Sequence, residues 1–290
     1  MSVSPDVQPR AFGRRVLLAG VLGGAVVAAG CSLRAKPPPP TYSSLTQESP
    51  FYIAHRGGGG NWPELTAYAY EQASRLPGLH AMEISVCQTS DGVLVCSHDR
   101  TTTRATGVPY VIAEQTWQTL STLQVSAAHT TDPAQPGRPF TRFDEVVDAY
   151  ADRFVLFVEP KDSRASPALL DKMSGLRQPE RVVWKQPINS QLFATAKQAG
   201  FATWGYVLDE PAHTGDNLAR LAASPDVDML GAPAAESDAF VQAVVAAAGS
   251  NGKLTTMWEI RSVADRDRAL ALGCRGMMTS DLLEVLPAAS

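Results

Sequence analysis

Residues able to carry acid–base and anion chemistry are concentrated between positions 53 and 99. This stretch contains His55, Arg56, Glu64, Glu83 and His98, and the first two follow an apolar run and precede four glycines. Because glycine has no Cβ, such a loop lets the backbone approach a ligand with its N–H groups turned outward, which suits an anion. An ordinary turn between a strand and a helix is the alternative, and a motif this short does not decide between the two.

The elements that must position these residues alternate between strand-like and helix-like runs. Eight short apolar runs predict strands at 51–54, 82–86, 154–158, 181–185, 202–208, 227–230, 254–260 and 276–279. This alternation predicts an α/β fold with parallel strands, and eight units predict a (β/α)8 TIM barrel. An open, doubly wound sheet is the alternative, although no Gly-x-Gly-x-x-Gly motif follows a strand to support its dinucleotide-binding form.

Polar residues stand at the carboxyl ends of the predicted strands, where the active sites of such barrels lie. They are His55 and Arg56, Glu83, Glu159 and Lys161, Lys185, Trp258 and Glu259, and Ser280-Asp281. Because the βα loops of a barrel meet at one end, these residues predict a single site.

Three carboxylates, Glu64, Glu83 and Glu159, are expected in this site together with the two histidines. Carboxylates in one pocket repel each other unless a cation lies among them, and oxygen ligands suit Mg²⁺ or Ca²⁺. Arg56 and Lys161 would bind a phosphate group, while the histidines exchange protons with the attacking and leaving oxygens. The constellation therefore indicates metal-assisted cleavage of a phosphodiester.

A β-hairpin arm is predicted after the second strand, because Asp91-Gly92 falls between two strand-like runs. With a two-residue turn, Cys87 lies opposite Cys96, and His98 lies opposite Ser85 on the face that carries the carboxylates. This register permits a disulfide between Cys87 and Cys96, and two buried thiols are the alternative.

The first fifty residues predict export and anchoring. Arg14-Arg15 precede an apolar run at 16–30 that ends in small residues before Cys31, which is the order of a bacterial lipoprotein signal. A spanning helix is the alternative, but the run is shorter than the roughly 20 apolar residues that a bilayer needs. We expect a signal peptide at 1–30, a lipidated Cys31, a Pro/Ser-rich tether at 31–50 and a catalytic domain at 51–290. The protein would then be exported and held by lipid on the outer face of the cell membrane.

Composition excludes one class of partner. The chain has 290 residues, of which 44% are hydrophobic and 19% charged, and its net charge is −4. It has no basic tract with interleaved aromatic residues, so no nucleic-acid partner is expected.

Several motifs, taken in order, resemble those of the glycerophosphodiester phosphodiesterase family. The resemblance extends from residue 51 to 281 and rests on His55-Arg56-Gly57, Pro63-Glu64-Leu65-Thr66, Glu83-Ile84-Ser85, Thr89-Ser90-Asp91-Gly92, His98-Asp99, Glu159-Pro160-Lys161, Trp258 and Thr279-Ser280-Asp281. It implies a TIM barrel that hydrolyses glycerophosphodiesters to glycerol 3-phosphate and an alcohol, by way of a cyclic phosphate. The implied roles are acid–base catalysis by His55 and His98 with Arg56 on the phosphate, a second anion contact from Lys161, and Mg²⁺ or Ca²⁺ held by Glu83, Glu159 and Glu64. Trp258, at the end of a strand, is a candidate to pack on the substrate, and packing in the core is the alternative.

Two residues depart from the family pattern. Leu65 replaces an asparagine, and Ser85 replaces the aspartate of Glu-x-Asp. Because a neutral hydroxyl takes the place of a carboxylate ligand, we expect weaker Mg²⁺ or Ca²⁺ binding than in the Ser85→Asp variant, as measured by calorimetric titration.

Two other functions remain open from the sequence. One is a phospholipase-D-like hydrolysis of lysophospholipids, which a wide apolar mouth would favour. The other is a non-catalytic, phosphodiester-binding lipoprotein that lost its metal through Ser85, although retention of both histidines argues against it.

Overall fold

Short apolar runs form the strands of the structure, a computed structural model that describes residues 40–287. The strands are β1 Phe51–Ala54, β2 Ala81–Gln88, β3 Leu94–Cys96, β4 Gln124–Val125, β5 Arg138–Pro139, β6 Val155–Pro160, β7 Val182–Pro187, β8 Ala202–Tyr206, β9 Met229–Pro233, β10 Leu254–Ile260 and β11 Gly276–Thr279. The helices are α1 Tyr42–Leu45, α2 Ala67–Ser74, α3 Thr103–Thr106, α4 Trp117–Leu120, α5 Phe143–Tyr150, α6 Ala165–Ser174, α7 Phe193–Gln198, α8 Gly215–Ala222, α9 Asp238–Gly249, α10 Val263–Ala271 and α11 Leu282–Val285.

Eight of these strands close into a parallel barrel. The pairing order is β1, β11, β10, β9, β8, β7, β6 and β2, and β2 pairs back with β1. The antiparallel β3 extends β2 as the predicted hairpin arm. The predicted (β/α)8 barrel is therefore confirmed.

Side-chain alternation along the strands separates an outer core from the barrel interior. In β2, Met82, Ile84 and Val86 belong to the core between strands and helices, so the intervening Glu83 and Ser85 point into the barrel. Both of these polar side chains are fully buried. The interior therefore carries charge at the carboxyl end of the strands, while apolar side chains fill it lower down.

Helix α1 adds a feature that the sequence did not predict. Leu45 is buried among the apolar side chains of the barrel interior, and the Tyr42 hydroxyl donates to the carbonyl of Asp228 at 3.3 Å. Residues 41–50 are thus part of the folded domain, and their assignment to a tether is wrong. The predicted signal peptide, Cys31 and the rest of the tether to residue 39 lie outside the described residues. No helix within 40–287 has the length and apolarity needed to cross a membrane.

The sequence pattern also did not predict helix α6. Its third residue is Pro167, which ordinarily argues against a helix. In the first turn, however, the backbone N–H has no partner within the helix, so proline costs little there.

The predicted register of the hairpin arm is wrong by one residue. Cys96 pairs with Val86, and Cys87 pairs with Val95, because the loop holds three residues, 90–92, between Thr89 and Val93. The third loop residue has the positive φ of 86° expected for a three-residue hairpin loop that ends in glycine. Shifting a strand by one residue exchanges its faces, so the two cysteines point to opposite sides of the sheet.

Consequently the cysteines are free, which is the second of the two predicted alternatives. Cys96 packs in the main core, whereas Cys87 packs under the arm and lies 3.7 Å from the carbonyl oxygen of Ser97. Burial raises the pKa of both thiols, so they stay protonated at neutral pH.

A reducing agent should therefore leave the melting temperature of the protein unchanged. A disulfide would contribute about 2–4 kcal/mol, and its reduction would lower the melting temperature by several degrees. Scanning calorimetry with and without reductant measures this. Mass spectrometry after alkylation in denaturant, without reductant, should find both Cys87 and Cys96 labelled, and a linked Cys87–Cys96 peptide would contradict the assignment.

Candidate active site

A cavity of about 520 Å³ opens at the carboxyl ends of the barrel strands. Eight of the predicted site residues line it: His55, Arg56, His98, Glu159, Lys161, Lys185, Trp258 and Glu259. Tyr206 and Arg261 also line it, together with apolar residues from the ends of β8 and β9. The other two predicted metal ligands, Glu83 and Glu64, are not part of the lining but bond Arg56, which is.

Arg56 is held by two carboxylates, one at its backbone N–H and one at its guanidinium. It adopts the left-handed region at φ 53°, its N–H donates to Glu83 Oε2 at 2.9 Å, and its Nη1 donates to Glu64 Oε2 at 3.1 Å. Its buried Nε has no partner within the described residues. Arg56 lines the cavity, so its guanidinium can donate to an anion there.

The glycine loop does not form the predicted anion cradle. The N–H groups of Gly58 and Gly59 donate to the His55 carbonyl, and that of Gly60 donates to the Ser280 carbonyl. Gly58 has φ 87°, and a Cβ there would lie 2.7 Å from a methyl carbon of Leu282. The glycines are therefore needed for a tight turn packed against α11, which is the alternative given for this motif.

His55 is oriented from below by Ser280 and Glu259. Its Nδ1 lies 2.9 Å from Ser280 Oγ and 3.5 Å from Glu259 Oε1, and Ser280 also hydrogen-bonds this carboxylate. Although burial raises the pKa of Glu259, its contacts with His55, Ser280 and Arg261 hold it well below the usual range. With Nδ1 engaged, Nε2 is the nitrogen of His55 left to meet a substrate. The sequence reading placed Glu259 at a strand end but gave it no role.

Glu259→Gln should lower kcat by about tenfold and leave KM nearly unchanged, because the His55 ring loses its charged partner but the phosphate contacts remain. Steady-state kinetics on the full chain measure the split between the two constants. Glu259→Asp should recover part of the rate, and Glu71→Gln, a change on the exposed side of α2, serves as the matched control. A rise in KM as large as the expected fall in kcat would contradict a positioning role for Glu259.

His98 reaches the cavity by a different path from the one predicted. Ser97, not His98, lies opposite Ser85, and β3 has ended before the histidine. Its Nδ1 lies 2.8 Å from Asp99 Oδ1, and Asp99 is also bonded by Arg104 at 2.6 Å. Burial lowers the pKa of His98 to about 4, and nearby positive charges add to this shift. The ring is therefore neutral at pH 7 and can accept a proton.

Lys185 joins two of the predicted metal ligands. Its Nζ lies 2.8 Å from Glu83 Oε1 and 2.6 Å from Glu159 Oε2. Lys161 Nζ and the Tyr206 hydroxyl donate to the other oxygen of Glu159, at 2.9 and 3.3 Å. Burial alone would raise the pKa of both carboxyls, but the lysine charges lower them, and the carboxylates in turn raise the pKa of Lys185. Glu83, Glu159 and Lys185 are therefore charged at neutral pH.

The side chains present do not fit the predicted divalent cation. Glu64 is bonded by Arg56 and, at 2.6 Å, by Arg104, so it is not gathered with Glu83 and Glu159. Within residues 40–287, no three His, Cys, Asp or Glu side chains come close enough together to hold a metal ion. Lys185 already lies between the two carboxylates that would remain as ligands, and a divalent cation next to it would be repelled.

One wall of the cavity is aromatic and apolar. Trp258 packs edge-on against Trp204 and Tyr206, with ring centroids 5.4 and 5.6 Å away. Next to it, the partly exposed Leu208 and the segment 233–235 continue the apolar surface. Trp258 therefore lines the cavity, and its contact with a substrate stays a prediction.

Comparison with known proteins finds relatives of one family. The sequence model of the glycerophosphoryl diester phosphodiesterase family matches residues 55–283. A probable glycerophosphodiester phosphodiesterase 1 from Mycobacterium tuberculosis is 38% identical over 80 residues, which cover 28% of this chain and 29% of that protein. A glycerophosphodiester phosphodiesterase from Bacillus altitudinis is 30% identical over 113 residues, or 38% and 45% of the two chains. The chain thus spans less than half the length of these curated relatives.

Solved structures share the fold at low sequence identity. A putative glycerophosphoryl diester phosphodiesterase from Silicibacter pomeroyi has a TM-score of 0.65 at 21% identity, over 80% of this chain and 90% of that one. A phosphodiesterase from Oleispira antarctica, solved in complex with the product sn-glycerol-3-phosphate, has a TM-score of 0.66 at 18% identity, over 82% and 95% of the two chains.

Proposed function

Since the chain belongs to the glycerophosphoryl diester phosphodiesterase family, we propose that it is a phosphoric diester hydrolase that converts glycerophosphodiesters to glycerol 3-phosphate and an alcohol. The observation that carries the proposal is the gathering of His55, His98, Arg56 and Lys161 around one cavity. Two proton-transfer groups beside two anion-binding cations are what cleavage of a phosphodiester needs. The product-bound relative supports glycerol 3-phosphate as one product.

In the proposed reaction, Arg56 and Lys161 bind the phosphate oxygens, and His98 acts as the base. Its neutral ring takes the proton from the attacking oxygen, which is a substrate hydroxyl or water. As the new P–O bond forms, the bond to the alcohol breaks, and the leaving oxygen receives a proton from His55. Attack by water gives glycerol 3-phosphate directly, whereas attack by a glycerol hydroxyl gives a cyclic phosphate. Water then attacks that phosphate, and the ring P–O bond breaks as its oxygen takes up a proton, which yields glycerol 3-phosphate. No step passes through a metal, because Lys185 already lies between Glu83 and Glu159.

Hydrolysis of defined substrates by the purified full chain tests this proposal. Glycerophosphocholine, lysophosphatidylcholine and bis-p-nitrophenyl phosphate are each supplied with EDTA or with Mg²⁺ or Ca²⁺, and product release is followed. We expect glycerol 3-phosphate and choline from glycerophosphocholine. If none of the three is turned over under any condition, the chain is not the proposed hydrolase.

Hydrolysis of lysophospholipids is a second candidate, favoured by the apolar wall around Leu208 and Trp258. An acyl chain attached to the glycerol could lie along this wall. The same assay decides the matter, because this candidate requires a higher kcat/KM for lysophosphatidylcholine than for glycerophosphocholine.

We further propose that the protein acts outside the cell membrane, anchored by lipid at Cys31. The support is the order of Arg14-Arg15, the apolar run 16–30 and Cys31. Cys31→Ser should move the protein out of the membrane fraction of the producing bacterium, and an unchanged membrane fraction would contradict the anchor.

A further inference from the structure

A buried lysine occupies the place between the two carboxylates that the sequence assigned to a metal. We propose that the Lys185 ammonium is the built-in cation of the phosphate site, so that this enzyme binds phosphate and turns over substrate without a divalent cation. The inference rests on the proposed phosphodiester chemistry and names the group that replaces the metal.

The position of Lys185 fits a cation that serves the cavity. Its Nζ donates to Glu83 Oε1, lies 2.6 Å from Glu159 Oε2 and lies 5.6 Å from the centre of the Trp204 ring. The contact with Glu159 Oε2 is an ion pair without a hydrogen bond, since this buried oxygen has no hydrogen-bond partner within residues 40–287. An ammonium has three N–H donors, and because Lys185 lines the cavity, a donor not used by Glu83 is available to a phosphate oxygen.

Glu83 is closed to a metal from the cavity side. Its side chain is fully buried; Oε1 accepts from Lys185 and Ser85, and Oε2 accepts from the Arg56 N–H. A metal ion could reach this carboxylate only by breaking the pair with Lys185. Glu83 and Glu159 are thus already paired with the ammonium of Lys185.

Ser85 completes the arrangement. Its hydroxyl donates to Glu83 Oε1 at 3.0 Å, the same oxygen that Lys185 bonds. An aspartate at this position could only accept and would add a negative charge next to Glu83. The loss of a carboxylate at 85 and the presence of a lysine at 185 therefore act together: they remove a metal ligand and supply a fixed positive charge.

The contribution of this ammonium to the reaction is electrostatic. A preorganised N–H donor stabilises the charge that develops on phosphate oxygens as the attacking bond forms and the ester bond breaks. Lys185 forms no covalent bond and transfers no proton, because its charge is held by two carboxylates.

Binding of glycerol 3-phosphate to the full chain tests the inference without any need for turnover. Isothermal titration in EDTA should show binding, and added Mg²⁺ or Ca²⁺ should leave the affinity unchanged. No binding in EDTA, or binding that tightens by about tenfold or more with either cation, would overturn the inference.

Substitutions at Lys185 test this result further. Lys185→Met should weaken glycerol 3-phosphate binding by about tenfold to a hundredfold, the usual effect of one hydrogen bond between charged groups, while Lys185→Arg keeps part of it. Lys197→Met, which removes a lysine paired with Asp228 away from the cavity, is the matched control.

The double variant Ser85→Asp/Lys185→Ser tests whether lysine has replaced the metal. Titration of this variant with Mg²⁺ or Ca²⁺ alone should show a binding heat that the wild type lacks. Equal heats in both proteins would contradict the replacement.

The two proposals fail in different ways. Absence of hydrolysis under every condition removes the proposed function, whereas binding in EDTA still decides whether Lys185 serves the phosphate. Hydrolysis that stops in EDTA and returns with Mg²⁺ leaves the function standing and removes the metal-free site.

Discussion

His55→Ala should lower kcat for glycerophosphocholine hydrolysis by about 10²–10⁴, because the leaving oxygen then lacks a positioned proton donor. KM should change little, since Arg56 and Lys161 still bind the phosphate. The ring is buried and contacts only a few groups, among them Ser280 and Glu259, so the far-ultraviolet spectrum should remain that of the wild type.

The control for this substitution is His129→Ala. His129 lies on the surface, in a loop outside the cavity lining, and its removal should leave kcat and KM unaltered. If His55→Ala retained the wild-type kcat while His129→Ala behaved as expected, the acid role would belong to another group.

Lys185→Met should reduce the free energy of unfolding by about 3–5 kcal/mol at pH 7, because it leaves two buried carboxylates without their shared cation. Urea unfolding followed by circular dichroism measures the loss. Lys161→Met is the matched control, since Lys161 bonds only Glu159 and is more exposed; its cost should stay below about 1 kcal/mol.

The pH dependence of this loss identifies its cause. In the wild type the pKa values of Glu83 and Glu159 lie below the ordinary 4.5, so pairing stabilises the fold above that pH and the stabilisation is lost as pH falls through the lowered values. In Lys185→Met, Glu83 has lost its lysine and Glu159 keeps only Lys161 and Tyr206. These carboxyls can protonate instead, so the difference from wild type should shrink as pH falls from 7 toward 4. The double variant Lys185→Met/Glu83→Gln should recover part of the stability at pH 7. A difference that does not depend on pH would indicate a packing defect.

Much of the barrel was predictable because strands carry local signals. Apolar runs of β-branched residues gave eight strands close to their observed bounds, and the residues directly after them, such as His55 and Lys161, necessarily stand at the carboxyl end. The single-residue shift of the hairpin arm was not predictable, because Asp91-Gly92 suits a two-residue and a three-residue loop alike. The burial of α1 was missed since its four helical residues are mostly polar and only Leu45 is buried.

What the sequence by itself determined is the set of chemical groups at one end of a barrel: two histidines, cations for a phosphate, and carboxylates. Only the tertiary structure decided which of these charged groups form ion pairs with each other. Lys185 follows Glu83 by 102 positions, and no local pattern indicates that its ammonium lies between Glu83 and Glu159. The energy of a buried charge depends on distances through space and on exclusion of water, and both are set by strand register and barrel closure. The carboxylates that suggested a metal site from the sequence are therefore paired with Lys185 in the folded protein.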